Sequence, residues 1–262
     1  MPFQARWVTP DLCHIEDPLG VCMTLLVGKE RALLVDTGYG LENPAAFAQT
    51  LTDRPVTVLL THGHHDHALG AGWFDSVCLH PDDFPVYRTY TSSFWRKRVL
   101  ASAAGRNLPV DEEAYLAAVM PEASPAPDHF DLGGLTAQIL PCPGHTPGSL
   151  MVHIPERRLL LTGDNWNPVT WLFFPEALPI RQYLENMRET TRSLSFDRVL
   201  CSHRPNLFPR EALDAFLGAL TGEVILAAQA ADTGAWMGIR TAQAELPGDQ
   251  CIVFDRQKAS AI

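Results

Sequence analysis

The chain has 262 residues, of which 46% are hydrophobic and 19% are charged, and its formal net charge is -10. This composition is too apolar for a disordered protein and predicts a folded chain with a well-buried core. The negative charge repels phosphate backbones and anionic lipid surfaces, so it argues against nucleic acids and membranes as partners and favours a small-molecule substrate.

The amino-terminal residues and the cysteines together indicate the compartment. Residues 1–7 lack the basic segment and apolar core of a secretory signal, and no run of about 18 apolar residues predicts a membrane span. The six cysteines are scattered along the chain without a C-x-x-C pair, so we expect reduced thiols rather than disulfides. These features predict a cytoplasmic protein.

The first third of the chain alternates strand-like and helix-like segments. Two apolar runs, 21–27 and 32–36, flank a polar turn and predict a β-hairpin. A helix is expected over residues 43–51, followed by a continuous apolar and β-branched run, 56–61, of the kind found in buried strands. A histidine-rich segment, 62–67, begins where this last strand ends.

The middle of the chain has a different pattern. Segments 93–104 and 111–120 are typical of helices, and the stretch 121–127, which is rich in proline, closes the region. We expect residues 81–131 to form a helical insertion within a single domain that spans residues 1–262.

Strand and helix patterns resume after the insertion. Strands are expected at 135–140, 149–154, 158–162, 198–201 and 250–254, and helices at 180–194 and from Pro209 onward. Strands that lead into helices, twice along the chain, predict an α+β protein in which two sheets pack face to face with helices outside.

Four of the ten histidines lie in the six-residue segment His62-Gly63-His64-His65-Asp66-His67, directly after a predicted buried strand. In an extended loop, His62 and His64 point to the same side, so two imidazoles can approach one metal at about 2.0–2.1 Å. Asp66 and His67 can turn toward a second ion. The segment therefore predicts part of a metal site.

Three further candidate ligands each follow a predicted strand. His145 lies in a turn rich in glycine and proline, and His203 follows the strand at 198–201. Asp164 follows the apolar run 159–163, and burial of its carboxylate is costly unless it binds a metal or another partner. One loop cannot supply a complete coordination shell, so a metal site at 62–67 would need ligands of this kind.

With these residues the sequence resembles the metallo-β-lactamase-fold hydrolase superfamily. Residues Thr61 to His67 match that family's T-H-x-H-x-D-H motif, and Asp36, His145, Asp164 and His203 occur in the family's order. The resemblance implies a four-layer αββα sandwich with the metal ions at one edge. It also implies that Asp36 supports the site by hydrogen bonds without ligating a metal.

The resemblance further implies two metal ions and a division of the ligands between them. The first ion would be held by His62, His64 and His145, and the second by Asp66, His67 and His203. Asp164 would bridge the two ions, which makes Asp66 and Asp164 the candidate catalytic carboxylates. Imidazole and carboxylate ligands favour Zn²⁺ and are also compatible with Fe or Mn.

The ligand types indicate a hydrolase. Two ions about 3.5 to 4 Å apart can share a water, lower its pKa towards about 7 and polarise a carbonyl or phosphoryl oxygen. Retention of Asp164 makes the chain similar to the glyoxalase II branch and favours a thioester or lactone over a phosphodiester. The alternatives are a mononuclear iron persulfide dioxygenase and an inactive metal-binding member of the fold.

Several other side chains are candidates for the substrate pocket. His65 occupies the variable position of the motif and is expected to face the cleft or bond to a neighbour. Arg204, beside His203, is a candidate for binding a substrate anion. The aromatic segment after Asp164 is expected to form a wall of the cleft with Trp166, Trp171, Phe173 and Phe174. Four cationic residues of the insertion are expected on a solvated helix face, namely Arg88, Arg96, Lys97 and Arg98.

Overall fold

The computed structural model describes residues 3–233 and 238–259. The described chain divides into two compact units, of which the first comprises residues up to Ile139 together with Ser202–Pro205. The second comprises Leu140–Cys201 and the residues from Asn206 onward. In the described part of the chain, no helix is long and apolar enough to cross a membrane. The single domain expected over residues 1–262 stays a prediction.

A seven-stranded sheet organises the first unit. Its strands, in spatial order, are β1 (Gln4–Thr9), β2 (Leu12–Glu16), β3 (Cys22–Val27), β4 (Ala32–Val35), β5 (Val56–Leu59), β6 (Val77–Leu79) and β7 (Ala123–Pro125). The first four strands pair antiparallel, whereas β4 to β7 pair parallel. The carboxyl ends of β4, β5 and β6 therefore lie at the same edge of the sheet. The hairpin expected at residues 21–36 is confirmed as β3 and β4.

The helix expected near residue 43 is α1 (Pro44–Leu51), and its start follows from local chemistry. Asn43 is the N-cap, and its side-chain oxygen accepts from the amide of Ala46 at 2.9 Å. Pro44 occupies the first helical position, where its missing N–H removes no hydrogen bond. A second, short helix, α2 (His65–Ala68), contains half of the histidine-rich segment.

The insertion begins with helices α3 (Phe84–Tyr90), α4 (Ser93–Gly105) and α5 (Glu112–Ala117). Its last part differs from the expectation, because the proline-rich stretch forms β7 and residues His129–Asp131 form β8, which pairs antiparallel with β9 (Thr136–Pro141). Strand β7 is the edge strand of its sheet, where proline is tolerated because a missing N–H leaves no ladder bond unmade. The insertion is thus helical only in its first part.

Arg96 corrects the expectation of a wholly solvated cationic face on the insertion. Its side chain is buried, and its guanidinium donates to the carbonyls of Thr91, Leu116 and Ala118. Two of these carbonyls lie at the carboxyl end of α5, where a helix leaves its last acceptors unpaired. A buried charge is tolerated here because every bond is to a backbone acceptor, and the contacts tie α4 to α5.

The second unit contains strands from two sheets. Its first group has the order β14 (Phe208–Pro209), β13 (Arg198–Leu200), β11 (Leu159–Leu161) and β10 (Leu150–Ile154). A four-stranded sheet has the order β12 (Val169–Leu172), β17 (Gln250–Asp255), β16 (Thr241–Leu246) and β15 (Gln229–Ala231). The helices are α6 (Ile180–Arg192), α7 (Arg210–Ala219) and α8 (Gly222–Leu226). The expected strands at 149–154, 158–162, 198–201 and 250–254 and the helix at 180–194 are confirmed.

The core of the second unit is formed by large aromatic and aliphatic side chains. Trp166, Tyr183, Phe216 and Phe254 are all buried within it. Strand β12 lies in a segment whose asparagines and prolines are typical of a loop. It becomes a strand because β17, about 80 residues further along the chain, supplies a parallel partner.

Candidate metal centre

The edge of the first unit's sheet brings together residues that are distant in sequence. Strands β4 and β5 are parallel with Val35 opposite Leu59, so the residues that follow them lie side by side. Asp36 follows β4, and Thr61 follows β5. The amide of Thr61 donates to Asp36 Oδ1 at 2.7 Å, which joins the two strand ends directly.

Asp36 orients two histidines of the cluster. The Nδ1 atom of His67 lies 2.9 Å from Asp36 Oδ2 and donates to it. The Thr61 hydroxyl lies 2.9 Å from the same carboxylate oxygen and 3.1 Å from His62 Nδ1. Because the carboxylate only accepts, the hydroxyl donates to Asp36 and accepts from His62. In both histidines Nδ1 carries the proton, so Nε2 presents a lone pair.

Asp36 is held in an unusual backbone conformation, with φ of 65°, and only 2% of its surface is exposed. Left-handed backbone is uncommon outside glycine, although aspartate and asparagine tolerate it better than other residues. This conformation lets the carboxylate meet both Thr61 and His67.

The first unit gathers five of the seven candidate ligands. The ring centroid of His62 lies 4.7 Å from that of His64 and 4.1 Å from that of His67. Asp66 Oδ2 lies 3.6 Å from His67 Nε2 and 3.5 Å from His203 Nε2. Four imidazoles and a carboxylate form the kind of donor set that binds divalent metal ions.

Gly63 permits close contact between the histidine-rich segment and the insertion. A Cβ at this position would lie 2.4 Å from the backbone nitrogen of Tyr87 in α3. The amide of Gly63 also donates to Asp83 Oδ2 at 2.7 Å, and Asp83 is completely buried. The start of the insertion therefore sets the path of the backbone between His62 and His64.

His65 packs against aromatic side chains of the insertion. Its ring centroid lies 5.9 Å from that of Tyr90 and 4.7 Å from that of Trp95, and Tyr90 also lies 4.5 Å from His64. Burial, opposed in part by the charge of Asp66, lowers the pKa of His65 to about 4. His65 is therefore an uncharged, packed ring at neutral pH.

The second unit contributes His145 and Asp164. The Nδ1 atom of His145 lies 2.7 Å from the carbonyl oxygen of Trp171, which can only accept, so Nε2 again presents a lone pair. That Nε2 lies 3.6 Å from Asp164 Oδ2. The side-chain amide of Asn167 donates to Asp164 Oδ1 at 3.2 Å and orients the carboxylate.

The aromatic segment after Asp164 is divided between core and surface. Trp166 is fully buried in the core of the second unit, where its indole donates to Gln250 Oε1 at 3.0 Å, so its side chain does not form a cleft wall. Phe173 and Phe174 are buried and stack on each other at 4.9 Å. Trp171 is 47% exposed.

Arg204 is exposed, and its guanidinium donates to the carbonyl of His203 at 3.2 Å.

Two residues that support the cluster were given no role from the sequence, although Thr61 is the first residue of the recognised motif. The Thr61 hydroxyl donates to Asp36 and accepts from His62, so it fixes the His62 ring relative to Asp36. Asp83 accepts from the amide of Gly63. Both follow parallel strands, β5 and β6, at the edge that carries Asp36. The position of polar residues just beyond the ends of predicted parallel strands is the sequence signal for this supporting role.

We expect Asp36→Asn to weaken metal binding by about 10- to 100-fold, the usual effect of losing a partner that orients ligands. Asparagine tolerates the left-handed backbone, so the fold should persist, but it lacks the charge that attracts the His67 N–H. Titration of the metal-free variant with Zn²⁺ and a competing chelator measures the change. Unaltered affinity would contradict an orienting role, and Asp53→Asn, at an exposed position, is the control.

Comparisons with known proteins agree with this geometry. The family model of the metallo-beta-lactamase superfamily matches residues 17–203. The human protein named acyl-coenzyme A thioesterase MBLAC2 is 25% identical over 222 residues, which cover 72% of this chain and 74% of the relative. The probable metallo-hydrolase YqgX of Bacillus subtilis is 27% identical over 154 residues, covering 56% of this chain and 66% of that protein.

A solved structure shows the same fold. The metallo-β-lactamase from Erythrobacter litoralis is 16% identical, covers 83% of this chain and 95% of its own, and superimposes with a TM-score of 0.62. The family match includes Asp36 and every candidate ligand, from His62 to His203. The chain belongs to the metallo-β-lactamase superfamily and is a metal-dependent hydrolase.

Proposed function

We propose that the chain is a thioesterase that uses two divalent metal ions, with Zn²⁺ as the first candidate. The observation that carries its metal-binding part is the set of hydrogen bonds made by the Nδ1 atoms of three histidines. His62, His67 and His145 each use Nδ1 in a hydrogen bond within the protein, which places the lone pair of each ring on Nε2, the nitrogen that can bind a metal. The name of the human relative, an acyl-coenzyme A thioesterase, supports a thioester substrate.

The proposed ligand sets are those implied by the family motif. His62, His64 and His145 would bind one ion, Asp66, His67 and His203 would bind the other, and Asp164 would bridge them. The convergence of Asp66, His67 and His203 in the first unit and the approach of His145 to Asp164 in the second support this division. The lactone alternative uses the same ligands and differs only in the leaving group.

The protein's own groups hold the ligands in place for the reaction. Asp36 and Thr61 fix the rings of His62 and His67, and the Trp171 carbonyl fixes His145. The packed and uncharged His65 adds no positive charge beside the ligands. Two divalent ions bound there would activate a water and polarise the thioester carbonyl.

Trp171 is the proposed contact for the acyl group. With Val169, Phe173 and Val253 it lines a groove of about 790 Å³ in the second unit. Its carbonyl is held by His145 while nearly half of its side chain is exposed, so the ring is available to an apolar ligand close to a proposed metal ligand. Trp166 and Phe174 do not line this groove, so the proposed acyl contact does not include them.

The proposal is tested by measuring enzymatic activity and bound metal on the same purified sample. Purified protein supplemented with Zn²⁺ should contain two ions per chain and hydrolyse acyl thioesters faster than lactones, phosphodiesters or β-lactams. Parallel samples loaded with Fe or Mn identify the metal that supports the highest turnover. At most one bound ion after supplementation, or no turnover of any thioester, would contradict the corresponding part of the proposal.

Metal removal should also destabilise the protein. A metal that binds only the native state stabilises it by mass action, by about 2.7 kcal/mol when its free concentration is 100 times the dissociation constant. We therefore expect a chelator to abolish activity and to lower the thermal midpoint, and added Zn²⁺ to restore both. A midpoint that does not respond to either treatment would argue against metal in the folded protein.

A further inference from the structure

One segment of the insertion, residues 84–110, has a charge opposite to that of the whole chain. Residues 84–110 contain five of the chain's 20 lysines and arginines and none of its 30 acidic residues, although the formal net charge is -10. Arg96 is buried among backbone carbonyls, whereas Arg88, Lys97, Arg98 and Arg106 are exposed. Residues 84–110 thus present a cationic surface on an otherwise acidic chain.

Helix α4 combines this charge with exposed aromatic surface. Phe94 is 60% exposed, and the guanidinium carbon of Arg98 lies 5.8 Å from the centre of its ring. Lys97 and Arg98 follow Phe94 by three and four residues, so the three side chains share one face of the helix. We refer to Phe94, Lys97 and Arg98 as the cationic-aromatic patch.

The cationic-aromatic patch adjoins the candidate ligands. Arg98 also lies 5.5 Å from the ring centre of Trp95, and Trp95 in turn packs on His65 at 4.7 Å. His65 directly precedes Asp66, a proposed metal ligand. The patch is therefore separated from a proposed metal ligand by only two packed rings, those of Trp95 and His65, which is within the reach of a long substrate whose reacting carbonyl lies at the ligands.

We propose that the cationic-aromatic patch binds the phosphorylated nucleotide portion of the substrate's thiol, so that the substrate is an acyl ester of coenzyme A. The inference rests on the proposed thioesterase function and deepens it. Arginine and lysine bind phosphate oxygens, and an exposed aromatic ring next to a guanidinium offers a stacking surface for a base. A substrate with several phosphates is repelled by the chain's overall charge, and the patch provides local attraction.

The test varies the thiol portion while the acyl group stays the same. Wild-type protein should prefer an acyl-coenzyme A to the matching acyl ester of N-acetylcysteamine, which lacks phosphates and base. The double variant K97E/R98E should lose this preference by about tenfold or more, measured as the ratio of the two kcat/KM values. The conservative variant K97R/R98K should retain it.

A matched control changes the same residue types elsewhere. Lys29 and Arg31 are exposed in the turn between β3 and β4, at the opposite end of β4 from Asp36. The variant K29E/R31E alters net charge equally and should leave the preference for coenzyme A esters intact. If both double variants lower the preference equally, the effect is one of net charge and the proposed patch is wrong.

Direct binding separates this inference from the proposed function. Coenzyme A itself is the probe in calorimetric titrations of wild type and K97E/R98E, and its affinity should fall by about tenfold or more in the variant. If no thioester is hydrolysed but coenzyme A binds through the patch, the thioesterase proposal fails and the patch stands. If both esters are hydrolysed with equal kcat/KM and coenzyme A does not bind, the function stands and the patch is wrong.

Discussion

Replacement of Asp66 by alanine is expected to lower kcat by about 10²- to 10³-fold, the magnitude associated with losing one electrostatic contributor to a reacting site. The carboxylate lies within 3.6 Å of two imidazole nitrogens, from His67 and His203, so its loss removes the group on which both converge. Under the proposed ligand assignment, the second ion should be lost as well. Elemental analysis and steady-state kinetics on the same preparation measure both effects.

The adjacent His65 provides the comparison for this variant. Its ring contacts Tyr90 and Trp95, and the proposed ligand sets do not include it. His65→Ala should therefore keep two ions per chain, although the lost packing lowers stability. Equal loss of metal in Asp66→Ala and His65→Ala would show that the residues between His64 and His67 have been assigned in the wrong register.

Trp166→Ala should reduce the free energy of unfolding by about 3–5 kcal/mol, as expected when a large aromatic side chain is removed from a packed core. Trp166 has no exposed surface, packs on Phe208 at 5.3 Å and donates to Gln250, whose acceptor would be left unsatisfied. Denaturant titration of the metal-loaded protein measures the change. A loss below about 1 kcal/mol would mean that the side chain is not a core residue.

Trp171→Ala is the matched variant for this experiment, because it removes the same side chain from an exposed position. Its unfolding free energy should change by less than about 1 kcal/mol. Its relative kcat/KM values across an acyl-length series should change, because Trp171 is the proposed acyl contact. The change should be equivalent to about 1–3 kcal/mol of transition-state binding. An unchanged profile with metal and fold intact would place acyl recognition elsewhere.

Local patterns were sufficient for most elements of the fold. The β3–β4 hairpin follows from two apolar runs around a polar turn, and α1 follows from Asn43 and Pro44 at its start. In these cases the residues that define the element are neighbours in sequence, so their pattern is visible without a structure.

Other elements depended on partners that are remote in sequence. The segment that forms β12 has the composition of a loop and becomes a strand through pairing with β17. The proline-rich stretch of the insertion becomes β7 because it pairs in parallel with β6 at the edge of the sheet. Arg96 is buried because the carbonyls at the end of α5, about 20 residues away, accept its N–H groups.

The sequence by itself determined the types of the candidate ligands and their superfamily, because the histidine-rich motif and the order of the later residues are properties of the linear chain. Only the tertiary structure decided which ring nitrogen carries the lone pair in His62, His67 and His145. Asp36 is separated from Thr61 by 25 residues and from His67 by 31, and the Trp171 carbonyl is 26 residues from His145. Such partners meet only after strands pair and loops close, and hydrogen-bond directions follow from that packing.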